Sequence, residues 1–114
     1  MTRSFTSRAL TALLAALGAV TIVTASGAAA AKPERHTVSV VATSFAPADL
    51  TVNAGDRVVW TNKDPYPHTV TSSGAFDSGS IAAGKSWRLK PRKAGDYAYI
   101  CTLHPNMKAT LKVE

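Results

Sequence analysis

The chain has 114 residues, with 13 Lys plus Arg against 7 Asp plus Glu for a formal charge of +6, and 46% of its residues are hydrophobic. That length holds one domain at most and excludes a multidomain enzyme. With 18% charged residues, the composition also excludes wholesale disorder.

Arg3 and Arg8, with no acid beside them, precede an apolar and small-residue run from Ala9 to Val23, and Ala25 to Ala31 follows, rich in small residues. A basic start, an apolar stretch of about 15 residues and a small-residue exit have the layout of a secretory signal peptide, with cleavage expected near Ala30 or Ala31. A retained anchor would need roughly 20 apolar residues, and the glycines and threonines of this run make it the weaker reading. No cysteine lies near the cleavage region and no two arginines are adjacent, which removes lipoprotein anchoring and the simplest twin-arginine route. The predicted organisation is a cleaved segment 1–31 and a single domain 32–114, carrying 11 basic and 7 acidic residues. It is a mildly basic domain exported to the periplasm or the extracellular space, with no stable membrane insertion after cleavage.

A domain of this size has a marginal core and usually adds disulfides or a metal. Cys101 is the only cysteine, so no internal disulfide can form. A lone thiol in an oxidising compartment must be buried, bridged to another chain or held by a metal.

Within 32–114 no segment has a helical period, and period-2 segments punctuated by turn residues dominate. Val38 and Val40 open the series, and Leu50 and Val52 follow a loop at Ala46-Pro47. Asn53-Ala54-Gly55-Asp56 is a turn, after which Val58 and Trp60 point one way while Arg57, Val59 and Thr61 point the other. Asn62 to Pro67 is a loop with two prolines. His68 and Val70 begin another strand that Ser72-Ser73-Gly74 interrupts. Lys85 to Lys90 alternates with Trp87 and Leu89 inward, and Lys93-Ala94-Gly95-Asp96 turns the chain. Tyr97, Tyr99 and Cys101 then share one face, as do Met107, Ala109, Leu111 and Val113. The predicted fold class is all-β, a sandwich of about seven to eight short strands. The basic residues Lys85, Arg88, Lys90, Arg92 and Lys93 form a solvated face by default. A nucleic-acid surface would need exposed aromatics among them, and Trp87 has inward parity.

The segment Cys101-Thr102-Leu103-His104-Pro105-Asn106-Met107 puts a thiol, an imidazole and a thioether within seven positions at the junction of two strands, and His68 lies 33 residues before Cys101. Taken singly, Met107 reads as core filler and His104 as a surface loop histidine. Taken together they do not, because Cys101 and Met107 are the last sulfur residues left in the domain and share one short loop with a histidine. Two imidazoles with a thiolate and a long thioether contact are the blue-copper donor set, which lets copper cycle between Cu(I) and Cu(II). Zinc would accept the same His2Cys group but gains little from a thioether. A Cys-His nucleophile oriented by Asn106 is the rival chemistry, and the tight loop offers it no cleft. His36 has outward parity and reads as a surface residue.

The domain resembles the cupredoxins, and its loop is most similar to that of the amicyanin and plastocyanin-like group. Besides the loop, the resemblance rests on Phe45-Ala46-Pro47, Leu50-Thr51-Val52, Gly55-Asp56, Val58-Val59-Trp60-Thr61-Asn62, Pro67-His68 and Ala94-Gly95-Asp96-Tyr97. It implies a Greek-key sandwich binding one copper ion through His68, Cys101, His104 and Met107, and a soluble monomer that carries single electrons between redox proteins without being an enzyme. Amicyanin-like proteins commonly place Asn after the first ligand histidine, where this chain has Thr69. The Thr69 N–H would still be able to bond the thiolate sulfur, whereas Pro105 has no N–H to offer.

The expected docking surface is the apolar loop with Leu103, Pro105, Pro67 and Tyr66. Lys63 and Lys108 stand beside it to steer an acidic partner surface. A periplasmic copper carrier or storage protein is the alternative function, and a zinc-binding or metal-free interaction module on the same scaffold is the third.

Overall fold

The computed structural model describes residues 18–20 and 32–114. Apart from 18–20, the predicted signal segment lies outside the described residues. Nine strands and no helix occur among the described residues: β1 (Arg35–Val41), β2 (Ser44–Ala46), β3 (Asp49–Val52), β4 (Arg57–Asn62), β5 (Thr71–Ser72), β6 (Phe76–Asp77), β7 (Ser86–Leu89), β8 (Gly95–Cys101) and β9 (His104–Val113).

They form two sheets, one ordered β2-β1-β4-β7 and the other β3-β9-β8-β5-β6. The pairs β1·β4 and β3·β9 are parallel, and the remaining pairs are antiparallel. The fold is an all-β sandwich, as the strand pattern predicts. Its core takes the expected inward residues from both sheets: Val38, Val40, Val58 and Trp60 from one, and Tyr99, Cys101, Met107, Leu111 and Val113 from the other. Trp60 is fully buried, and its Nε1–H donates to Tyr99 Oη at 3.2 Å across the two sheets. Satisfying a buried indole N–H in this way avoids the desolvation cost of an orphaned donor.

Three local features depart from the sequence reading. Val59, on the outward parity of β4, is buried as well, because β4 is an inner strand with Thr37 and Arg88 beside it in register. His68 does not begin a strand. It makes an isolated bridge to Ile81, and β5 is confined to Thr71–Ser72. The short strands β2 and β6 carry too few residues for a period to be read; β2 is followed by a cis Ala46–Pro47 bond.

The turn between β1 and β2 is a two-residue connection. Val41 pairs with Ser44, and Ala42 and Thr43 between them have φ of 51° and 57°. Two consecutive positive φ values are the pattern of a type I′ hairpin, which Asn-Gly or Asp-Gly normally supplies.

Candidate metal centre

Cys101 is the last residue of β8 and His104 the first of β9. The two are paired in register across the Thr102-Leu103 turn, with a bulge at Ile100/Cys101. The loop expected between the strands is thus reduced to two residues, and β9 starts inside the predicted ligand segment. A strand end fixed by a bulge re-aims its side chain, and Cys101 points into the buried end of the sandwich.

His68 reaches the same place from the other sheet's connection. Its backbone is held by the exchange with Ile81, His68 N to Ile81 O at 3.1 Å and Ile81 N to His68 O at 2.7 Å. The fully buried His68 has Nδ1 3.7 Å from Cys101 Sγ, and the half-buried His104 has its Nδ1 at the same distance. The ligand atoms of the three residues all lie within 4.8 Å of one another. Met107 is buried on β9, three residues beyond His104, in the same core cluster as Cys101.

The donor set fits copper, because thiolate and thioether sulfur with imidazole nitrogen suit both of its oxidation states. No cleft is needed to build such a site. A groove of about 590 Å3, lined by Phe76, Leu89, Lys90, Arg92, Lys93 and Tyr97 among others, opens near Gly95. That is the opposite end of β8, roughly 20 Å along the strand from Cys101.

The surroundings brace the three residues. Thr69 N donates to Cys101 Sγ at 3.3 Å, the one sulfur hydrogen bond that Thr69 can offer whatever its side chain. That side chain also bridges the segments that carry His68 and Cys101: Thr102 N donates to Thr69 Oγ1 at 2.9 Å, and the hydroxyls of Thr102 and Thr71 lie 3.1 and 3.0 Å from it. Threonine therefore does the bracing that a following asparagine would do.

On the outer side of His68, Nε2 lies 2.7 Å from Asp64 Oδ2. Asp64 also accepts from Ala42 N at 2.7 Å and Thr43 N at 2.9 Å. The Thr43 N–H, with His68 and the Ala42 N–H after it, holds the Asp64 carboxyl below its ordinary value against the cost of burial. Asn62 completes the loop: it accepts from Asp64 N, while its Nδ2 donates to Tyr66 O and Ile81 O. The sequence reading gives Asp64 no role and names Asn62 only as the start of a loop and the end of a segment that carries the resemblance. The only signal was Asp64's spacing of four from a candidate ligand.

The rim is apolar. Within 32–114 the exposed large hydrophobic side chains are Val41 (39%), Tyr66 (40%) and Leu103 (52%), and all three stand at this end. The Tyr66 ring centroid is 5.2 Å from that of His68 and 5.7 Å from that of His104, and its hydroxyl bonds Thr43 Oγ1 at 2.9 Å. His36, expected at the surface, instead pairs with the buried Asp56 through Nε2 at 2.9 Å. The correction has a simple cause: the Asn53–Asp56 turn folds back beside β1 and turns a carboxylate toward an otherwise outward side chain.

A two-sheet sandwich with a Cys and two His gathered at one end defines a class, and the chain belongs to it: the cupredoxin-like domain family, whose family model matches residues 13–113. Among curated relatives, it is 33% identical over 87 residues to amicyanin-alpha of Methylorubrum extorquens, covering 68% of this chain and 70% of that one. It is also 33% identical over 76 residues to the chloroplastic plastocyanin of Tetradesmus obliquus, covering 53% of this chain and half, 50%, of that protein's length. A Cu(I) structure of an amicyanin mutant superposes with a TM-score of 0.67 at 27% identity, covering 70% of this chain and 82% of the other.

Proposed function

We propose that this protein is an exported electron carrier, not an enzyme, that would hold one copper ion through His68, Cys101 and His104, with the Met107 thioether as the weakest of four ligands. Copper bound there supplies a one-electron Cu(II)/Cu(I) couple. The observation that carries the reading is the convergence of two imidazole Nδ1 atoms on one buried cysteine sulfur, each at 3.7 Å, under an apolar rim. The family membership and the amicyanin and plastocyanin relatives support it.

The chain's own residues do the rest. Cys101 and His68 are fully buried and held by hydrogen bonds that do not depend on a metal, so little has to move when the charge of the site changes. His104 is partly exposed and lies next to Leu103, Pro105 and Tyr66, which makes this rim the face where electrons enter and leave. Lys63 follows β4, Lys85 O accepts from Asn62 N, and Lys108 pairs with Ile100 one step before Cys101. These three cations flank the same end and suit an acidic redox partner. Residues 1–31 serve as the export signal in this reading, and the mature domain acts as a monomer.

An absorption spectrum of the mature domain with added Cu(II) tests it. An intense visible band bleached by reductant supports the carrier of electrons, with Cys101→Ser losing the band and Met107→Leu keeping it at a raised potential. A colourless protein that takes up Cu(I) alone would favour copper delivery or storage, and absence of tight copper binding would sink both.

A further inference from the structure

The turn Ala42-Thr43 has the wrong residues for its shape. Positive φ is disfavoured for residues with a Cβ and is a genuine outlier for a β-branched one, yet both residues adopt it. Such conformations persist only where the surroundings over-determine them. Here the two turn N–H groups both donate to the carboxylate of Asp64, one to each oxygen. The same carboxylate meets Nε2 of His68 at 2.7 Å, with both side chains at least nine-tenths buried.

An ionised carboxylate is an acceptor only, and a neutral imidazole carries one N–H. With Asp64 accepting a hydrogen bond from the Nε2–H, the lone pair of His68 must sit on Nδ1, the atom that faces Cys101 Sγ. Partners of this kind orient ligand histidines and raise their basicity. We infer that Asp64 is a positioning residue that ties the β1–β2 turn to His68, capping a turn whose own residues disfavour it and fixing the histidine as the Nε2–H tautomer with Nδ1 presented to the metal. The inference deepens the proposed function and rests on it for the word metal, but the tautomer and the turn can be read on metal-free protein. It also makes the turn part of the centre's support. Thr43 touches Tyr66 through its hydroxyl as well, so one exposed hairpin contacts both the rim and the outer side of a ligand.

The test uses the 15N-labelled, metal-free mature domain. Long-range 1H–15N correlations should show His68 as a single Nε2–H tautomer. In Asp64→Asn the amide can accept from fewer of the three donors and presents N–H groups of its own. The Ala42 and Thr43 amides should then exchange at least tenfold faster, and His68 should populate both tautomers. After copper loading, loss of the carboxylate charge should favour Cu(I), and a tenfold change in the ratio of Cu(II) to Cu(I) affinity would read as a 59 mV rise in potential.

Should Asp64→Asn not fold, the double change Ala42→Asn with Thr43→Gly supplies the residues a type I′ turn prefers and removes the turn's need for the carboxylate. In that background Asp64→Asn should restore slow turn exchange but not the tautomer or the potential. A wild-type His68 found as Nδ1–H, or variants in which only the turn amides respond, would overturn the assignment and leave Asp64 a turn cap alone. If the wild-type domain binds no copper, the proposed function fails, while the tautomer and exchange results still decide the role of Asp64.

Discussion

The two ends of the parallel pair β1·β4 carry the same polar arrangement. At one end Asp56 accepts from Glu34 N and Asn53 N, both at 3.0 Å, and pairs with His36 Nε2 at 2.9 Å. At the other, Asp64 accepts from Ala42 N and Thr43 N and pairs with His68 Nε2. Each carboxyl is held below its ordinary value first by a backbone N–H, that of Glu34 for Asp56 and that of Thr43 for Asp64.

What differs is the rest of each imidazole's surroundings. The His36 side chain is 19% exposed, with the carboxylate of the exposed Glu34 4.0 Å from the same Nε2, whereas the His68 side chain is 0% exposed and its second ring nitrogen, Nδ1, faces a thiol. Glu34, His36 and Asp56 also bring their ligand atoms within 4.8 Å of one another, but that set contains no sulfur, and both Asp56 oxygens already accept backbone N–H groups. A carboxylate–histidine pair thus fastens a strand end in one place and supports a donor cluster in the other. Burial and the partner of the second ring nitrogen decide which.

The sharpest way to break the comparison is to remove each histidine. His68→Ala should abolish the visible copper band and lower copper affinity by more than the roughly 10–100-fold typical of changes to outer partners. His36→Ala should leave both unchanged. Equal losses in a copper titration would mean that the two ends are not functionally distinct.

Between the ends, the core should respond without preference. Burial pushes the Tyr99 phenol up to about 12, so it stays neutral and accepts from Trp60. Tyr99→Phe leaves that buried indole N–H without its partner and should cost about 1–3 kcal/mol, read as a lower denaturation midpoint in the metal-free protein. An unchanged midpoint would show that the Trp60–Tyr99 bond contributes nothing net.

Acid should weaken both ends together. Asp56 and Asp64 titrate below the ordinary 3.8 in the folded protein, so the unfolded chain binds more protons between the folded and unfolded values. Their contribution is present above about pH 4 and is lost as pH falls through the folded values. The stability of the metal-free domain should therefore drop steeply below about pH 4, and Asp56→Asn should flatten that limb while leaving the copper band intact. A pH slope untouched by Asp56→Asn would refute the role given to the far end.

The smallest expected effect concerns charge. Lys108 lies at the end where Cys101 and His104 meet, while Lys90, Arg92 and Lys93 line the groove at the other. If an acidic partner docks at the rim, the bimolecular electron-transfer rate should fall as the Debye length shrinks from roughly 30 Å to 8 Å. Charge reversal at Lys108 should flatten that dependence more than reversal at Lys90. A larger effect of Lys90 would move docking to the groove.

Much of the molecule was legible before folding. Period-2 alternation identifies an inward face whatever the topology, so Val38, Val40, Trp60, Tyr99, Leu111 and Val113 could be placed in a core. Three donors within seven positions and one histidine after a proline also read as a candidate centre, because thiolate and thioether sulfur with imidazole form a donor set that suits copper. Only the tertiary structure brought His68 across 33 residues to within 3.7 Å of Cys101 and showed that Thr69 braces both segments. It alone turned Asp64 and Asp56 from loop acids into acceptors for strands and histidines. The reason is physical: side-chain parity is a local property of the backbone, whereas the worth of a carboxylate depends on which N–H groups and which ring nitrogen the fold leaves within its reach.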